Sequence, residues 1–264
     1  MSHLGPWQRV TARHRCTVCD KPDWCLVHQD NTATICMRVA SDRPLPCGGW
    51  LHKRGSVTPP RRPALPTHIN YVHDWDRILR VMGDNTDSAE RNRYAQALGV
   101  APHVVAGLGV VYAEPYDAWG WPMRSATGEV IGIRLRSDTR KWAVTGSHQG
   151  LFFRLRKPAG RVYIVEGPTD TAAALSIGLE AIGRPSCTGG VDLIREWIGR
   201  HSVRETVIVA DSDDPGVNGA ETLSAKIGIR HCVVTLPKKD MRAYVCAGGS
   251  YALVESIVRG ALWR

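Results

Sequence analysis

Val162-Tyr163-Ile164-Val165-Glu166-Gly167-Pro168-Thr169-Asp170-Thr171-Ala172-Ala173-Ala174-Leu175 is the stretch that decides the fold. Its apolar run predicts a strand buried on both faces, and the alanine-rich run beyond the turn predicts a helix. Pro168 suits a first helical turn, where no backbone donor is needed, and Asp170 suits its positive end. Glu166 then stands at the carboxyl end of a buried strand, the edge where open α/β sheets hold ligands. Taken alone, the same residues also read as an ordinary βα turn with a solvated glutamate.

The residues downstream repeat the pattern. A helix over 168–177, a short strand around Ala181-Ile182 and a helix over 191–199 lead to a second apolar strand, Thr206–Ala210. That strand ends at Asp211-Ser212-Asp213-Asp214-Pro215-Gly216. A helix carrying Val217, Ala220, Leu223 and Ile227 follows, then a strand over His231–Leu236. The last helix is expected to present Leu253, Val254, Ile257, Val258, Ala261 and Leu262 on one face. Alternating strands and helices predict a mostly parallel sheet covered on both sides. Two buried strands thus deliver Glu166, Asp211 and Asp213 to one edge, where the acids repel each other unless a cation such as Mg²⁺ neutralises them. Capping of the next helix accounts for one acid of Asp213-Asp214, but not for acids at matching points of consecutive βα units.

Upstream, residues 71–160 are basic and rich in tryptophan. Helices are expected over Asp74–Met82 and over Glu90–Leu98, the second stopping at Gly99. Strands are expected at Val110–Tyr112, Trp119–Met123, Val130–Arg136 and Lys141–Val144, with a hairpin turn at Ser125–Glu129. Ile131, Ile133 and Leu135 alternate with Gly132, Arg134 and Arg136, which gives one apolar and one basic face. From Arg124 to Arg161 there are nine Lys/Arg and two acids. Such a face suits a template strand or nucleotide phosphates, although a solvated antiparallel face has the same pattern. Residues 54–70, with four prolines and three arginines, read as an extended tether between domains.

Residues 1–53 hold Cys16, Cys19, Cys25, Cys36 and Cys47 among His14, His28 and His52. The two-residue gap of Cys16-Thr-Val-Cys19 lets two thiolates bind one tetrahedral ion. Spacing leaves the second pair open among Cys25, Cys36, Cys47 and a histidine. A segment this short buries little apolar surface, so a structural Zn²⁺ is expected over a core of free thiols.

The whole chain of 264 residues has 43% hydrophobic and 22% charged residues, as in a soluble globular protein. No run approaches the roughly 18 apolar residues of a membrane span. The N-terminus lacks an export signal, so the eight cysteines point to metal or free thiols in a reducing, cytoplasmic compartment rather than to disulfides. Net charge is +9; residues 1–68 hold ten Lys/Arg against four Asp/Glu, which favours a polyanionic partner.

Three resemblances sharpen these readings. Cys16-Thr-Val-Cys19-Asp-Lys-Pro-Asp-Trp24-Cys25, with Ile35-Cys36-Met-Arg38 and Gly48-Gly49-Trp50-Leu51-His52, resembles the zinc-binding head of small primases from phages and mobile elements. That resemblance implies Cys16, Cys19, Cys25 and Cys36 as ligands and leaves Cys47 as the alternative. It makes Trp24, Arg38, Trp50, Lys53 and Arg54 candidates for touching single-stranded DNA; Trp24 and Trp50 read equally well as the small core of the module. Gly120-Trp-Pro-Met-Arg124, Gly132-Ile-Arg134-Leu-Arg136 and Lys141-Trp142 through Phe152 resemble the subdomain that precedes the metal domain in bacterial and phage primases. Glu166-Gly167 with Asp211-x-Asp213 resembles the toprim domain of bacterial-type primases, type IA and II topoisomerases, OLD-type nucleases and RecR-type repair proteins, over about residues 161–245.

The toprim resemblance implies Glu166, Asp211 and Asp213 as the acidic triad holding Mg²⁺ or Mn²⁺, with Asp240 of Lys239-Asp240 a further candidate. Four segments are therefore expected: a zinc-ribbon-like β module (1–53), a linker (54–70), a mixed α/β RNA-polymerase subdomain (71–160) and a toprim domain (161–264). Their order implies a DNA primase that copies single-stranded DNA from nucleoside triphosphates, with Arg134, Arg136, Lys141 and Arg154 on template or triphosphate. The rivals are a toprim nuclease and a RecR-like DNA clamp without catalysis. A topoisomerase would need a separate tyrosine-bearing domain. No G-x-x-x-x-G-K-[ST] loop occurs, so any replicative helicase partner is expected to be a separate chain.

Overall fold

Four short antiparallel strands build the N-terminal part of the computed structural model, which describes residues 6–45, 48–53, 74–84 and 86–264. They are β1 (Trp7–Arg9), β2 (Leu26–His28), β3 (Ala33–Cys36) and β4 (Trp50–Lys53), paired in chain order. Their core consists of Val10 and three buried cysteines, Cys16, Cys25 and Cys36, with Val18, Cys19 and Val27 packed against them. So few apolar side chains cannot offset the chain entropy of ordering the segment, and the thiols sit where a metal would supply the difference. Cys47, Arg54 and the expected linker lie outside the described residues. The chain divides into two compact units, Met1–Asn70 and Tyr71–Arg264.

The second unit begins with α1 (Trp75–Asp84), α2 (Ser88–Leu98) and α3 (Pro102–Gly107). Asp87 caps α2 by accepting from the Ala89 N–H, and Gly99 ends it at φ +72°, the left-handed position glycine adopts freely. At six residues, α3 is too short for apolar periodicity and was not anticipated. An antiparallel sheet follows in chain order: β5 (Val111–Ala113), β6 (Ala118–Arg124), β7 (Val130–Arg136) and β8 (Lys141–Ala143). The expected hairpin turn joins β6 to β7, closed by Ser125 N–H donating to Glu129 O at 2.9 Å.

The remainder is β9 (Val162–Glu166), α4 (Gly167–Ser176), β10 (Ala181–Arg184), α5 (Val191–His201), β11 (Glu205–Ala210), α6 (Asp214–Ser224), β12 (Arg230–Thr235), α7 (Met241–Cys246) and α8 (Tyr251–Arg259). All four strands run parallel in the order β10-β9-β11-β12. Central position explains the unbroken apolar run of β9. Tyr163 and Val165 enter one core with Val207, Val209 and the alanines of α4, whereas Val162 and Ile164 enter another with Ile194, Trp197 and Ile208. The alanine-rich face of α4 allows close approach to β10: a Cβ on Gly183 would lie 2.0 Å from Thr171 Oγ1.

Leu151 pairs with Arg124 on β6, and Phe152 pairs with Gly183 on β10, so the two sheets are bonded through adjacent residues. Two features of the C-terminal end differ from expectation. Helix α7, another six-residue element, interrupts the stretch after β12. Helix α8 ends at Arg259 and buries only Val254 and Val258, while Leu253 and Leu262 are exposed. Leu262 could join the apolar face only if the helix ran past Gly260, where it stops, and Leu253, inside the helix, lies about 100° around it from buried Val254. No helix among the described residues is long and apolar enough to cross a membrane.

Candidate active site and metal centre

The carboxyl ends of β9 and β11, adjacent in the sheet, open into a cleft of about 390 Å³. Glu166 closes β9, and Asp211 follows β11 directly. Asp213 caps α6 by accepting from Gly216 N–H at 2.9 Å, so it serves helix and cleft together. Gly216 permits that turn, since a Cβ there would meet Asp211 O at 2.7 Å. Asp240 lines the same cleft and caps α7 through the Ala243 N–H at 2.7 Å. The same cleft is lined by five cations: Arg134 and Arg136 from β7, Lys141 from β8, and Lys239 and Arg242 on either side of Asp240 at the start of α7. Three of the four predicted nucleotide-contact cations thus line the cleft with the acids.

Arg154 does not line this cleft. Its side chain lies beside Gly107 and near Arg156 and Glu180. Phe152, bonded to β10 two residues before it, carries the chain away from the cleft wall.

Asp170, read from sequence only as a helix-dipole residue, also lines the cleft and is buried. One helical turn after Glu166, it accepts from Arg242 N–H at 2.8 Å, which ties α4 to α7. Its signal was the i, i+4 spacing from Glu166. Burial, then repulsion from Asp240, pushes its carboxyl up to about 7 despite that hydrogen bond. Asp211 is likewise pushed up to about 7, by burial first and then by Glu166, Asp240 and Asp213. Arg184 ends β10 opposite Glu166 in register, with Nη2 4.0 Å from Glu166 Oε2 and Nη1 donating to Gly219 O at 2.9 Å. It is the one buried cation at this edge among the described residues. Nothing in a strand of pattern Ala-Ile-Gly-Arg marks that role. The cleft cations carry the opposite imbalance, since burial lowers the proton affinity of both Arg134 and Lys141.

Oxygen donors that are desolvated and mutually repelling fit a hard divalent cation. Glu166, Asp211 and Asp213, the triad that the resemblance implies, line this cleft together with Asp170 and Asp240.

In the N-terminal unit, the Sγ atoms of Cys16, Cys19, Cys25 and Cys36 all lie within 4.8 Å of one another. Tetrahedral Zn–S bonds of about 2.3 Å require S···S separations near 3.8 Å, and Cys19–Cys25 and Cys25–Cys36 stand at 3.8 and 4.0 Å. Burial pushes the Cys25 thiol up to about 12, so a bare thiolate there is costly and a cation is the natural partner. The cluster therefore fits Zn²⁺. Of the predicted DNA contacts on this unit, Trp24 is exposed, Trp50 half-buried and Lys53 exposed, while Arg38 pairs with Asp23.

No protein-family model and no curated protein sequence matches the chain. Solved structures do. Zinc-binding and RNA polymerase domains of the Aquifex aeolicus primase match at TM-score 0.59 and 15% identity, over 72% of this chain and 60% of that one. A DnaG catalytic core matches at TM-score 0.57 and 17% identity, over 71% and 79%. The primase fragment of the bacteriophage T7 primase-helicase matches at TM-score 0.51 and 16% identity, over 96% and 99%. This chain spans less than two thirds of the Aquifex chain. Sequence and structure thus define the class first: a four-cysteine β module and a parallel sheet with an acidic edge. The particular fold is that of bacterial and phage DNA primase catalytic cores, as the sequence resemblance implied.

Proposed function

We propose that this chain is a DNA primase, synthesising short RNA primers on single-stranded DNA. One observation carries the reading: in a primase-type fold, five acids share a nucleotide-sized cleft with five cations, three of them from β7 and β8. Residues 71–160 supply Arg134, Arg136 and Lys141 as the RNA-polymerase subdomain, and residues 161–264 supply the acids as a toprim domain. The N-terminal module, beyond a linker at 54–70, holds zinc and contacts the template.

In the proposed reaction the 3′-oxygen of one nucleotide forms a bond to the α-phosphorus of the next. The bond from that phosphorus to the leaving pyrophosphate breaks, and the proton of the 3′-hydroxyl departs. Glu166, Asp211 and Asp213 would hold Mg²⁺ or Mn²⁺, which would neutralise the negative charge that develops in this transfer. Arg134, Arg136 and Lys141 hold the triphosphate beside the acids. Burial disfavours the charged forms of Arg134 and Lys141, and a polyphosphate would supply counter-charge there, which supports this. Arg184, behind Glu166, places a buried positive charge 4.0 Å from that carboxylate.

The test is incorporation of labelled ribonucleotides on single-stranded templates of varied sequence, with Mg²⁺ or Mn²⁺. Short primers that disappear in Asp211→Asn support the reading. Shortening of the template without incorporation would instead identify a nuclease, and template binding with neither activity a DNA clamp.

A further inference from the structure

Arg184 is a fixed charge at the acidic edge, buried beyond the reach of substrate. It ends β10, whose four residues are all buried; its own side chain is 2% exposed, and it does not line the cleft. A guanidinium stays charged at any ordinary pH, so burying one is costly unless acceptors or acids surround it. Two such groups are in place. Nη1 donates to Gly219 O on α6 at 2.9 Å, and Nη2 lies 4.0 Å from Glu166 Oε2. Gly219 makes the first possible, because a Cβ there would meet Cys187 O at 2.1 Å and push α6 off the loop after Arg184.

Neighbouring strands place three charges in a row. β10, β9 and β11 lie side by side and parallel, and their carboxyl ends lead to Arg184, Glu166 and Asp211 in that order. Glu166 therefore stands between a cation on one side and an acid on the other. Burial works against the Arg184 charge, while Glu166, then Cys187 and Asp211, favour it. At 4.0 Å the pair is too long for a hydrogen bond, so the Glu166 oxygen keeps its lone pairs for another ligand while its charge is shared. Arg134, Arg136, Lys141, Lys239 and Arg242 differ in that they line the cleft, within reach of a ligand.

We propose that Arg184 is a positioning residue that acts through Glu166 as a resident counter-ion, loosening the hold of the acidic edge on a divalent cation. The inference rests on the reading of Glu166, Asp211 and Asp213 as metal ligands. Because Glu166 shares its charge with Arg184, the acids after β11 supply most of the attraction for the metal. Such an edge binds the ion weakly by itself and firmly once the negative charge of a triphosphate adds to it, so metal and nucleotide bind cooperatively.

Mn²⁺ alone is the probe, titrated by electron paramagnetic resonance into the zinc-loaded full-length chain without nucleotide. Arg184→Gln should bind Mn²⁺ about tenfold more tightly than the parent, a typical coupling within one charge network. Arg184→Lys keeps the charge and should stay close to the parent. Adding Glu166→Gln to Arg184→Gln should cancel the gain, because the effect passes through that carboxylate. Two further variants leave Arg184 in place, so the test does not depend on its replacement folding. Glu166→Gln should weaken Mn²⁺ binding only severalfold, and Asp211→Asn about ten times more than that. Unchanged or weaker Mn²⁺ binding in a folded Arg184→Gln would overturn the proposal, leaving the arginine a tie between β10 and α6. A gain that survives Glu166→Gln, or equal losses in Glu166→Gln and Asp211→Asn, would overturn it as well. Mn²⁺ that binds neither parent nor variants would overturn the proposal together with the metal site. The titration needs neither template nor nucleotides, so a chain that makes no primers yet shows these shifts would lose only the polymerase reading.

Discussion

The thiolate cluster takes its four ligands from one short segment, Cys16 to Cys36, whose core is largely the ligands themselves. The carboxylate cleft takes its acids from Glu166 to Asp240, each set at the end of an element already buried in a larger core. Metal in the first is part of what folds the unit. In the second, the sheet and helices hold the acids together against their repulsion, and the proposed divalent cation would relieve a strain that the fold already sustains. The two sites should therefore respond oppositely to loss of a ligand.

The sharpest way to break this contrast is Asp211→Asn. Primer synthesis should fall by on the order of 10²–10³-fold, the range seen when one preorganised electrostatic contact is removed. The metal-free protein should at the same time melt at a higher temperature than the parent, because a buried, repelled carboxylate has gone. A lower melting temperature would show that the acids stabilise one another through bonds of their own.

Cys25→Ser is the counterpart in the N-terminal unit. It should abolish zinc retention and unfold that unit, while the melting transition of residues 71–264 stays in place. Hydrogen exchange checks both: amides of β2 and β3 lose protection, and those of β9 and β11 keep theirs. Primer synthesis on long templates should drop by about tenfold or more, from lost template contact alone. Survival of β2 and β3 without metal would mean that the small apolar core suffices.

Arg134 and Arg154 give a smaller contrast within the second unit. Arg134→Ala should raise the nucleotide KM by about tenfold, the cost of one charge-assisted hydrogen bond to phosphate. Arg154→Ala should leave KM within about twofold, because its side chain lies outside the cleft.

How much of this was legible in the sequence follows the same division. Residues read through period and turn chemistry came out in place: β9 and β11 from their apolar runs, Gly99 from its helix stop, the β6–β7 turn from Gly128. Cys16, Cys19, Cys25 and Cys36 converge as the resemblance implied, although spacing alone left the second pair open. Elements of six residues, α3 and α7, carry too few positions to show a period. Asp170 and Arg184 were not read as site residues because their importance comes from tertiary placement: Asp170 becomes buried only when α7 docks on it, and Arg184 only when β10 pairs with β9. Arg154, which the resemblance implies as a template or triphosphate contact, lies outside the cleft that Arg134, Arg136 and Lys141 line.

The last prediction concerns pH, where the two acids pushed to about 7 set the window. A carboxylate whose folded pKa lies above its ordinary value favours the folded state most when protonated. Stability from Asp170 and Asp211 is therefore fully present below about pH 4 and is lost as pH rises through 7. Protons and a divalent cation exclude each other at these oxygens. Mg²⁺ should accordingly raise the melting temperature of the second unit by only a small amount at pH 6 and by more at pH 8. Nucleotide incorporation at fixed Mg²⁺ should rise severalfold across the same interval, with its midpoint moving to lower pH as Mg²⁺ is increased. Asp170→Asn should shift that midpoint down, because one like charge beside Asp211 has been removed. A Mg²⁺ effect on melting that is equal at pH 6 and pH 8 would mean that the metal sits on carboxylates other than these, and Asp211 would lose its place among the ligands.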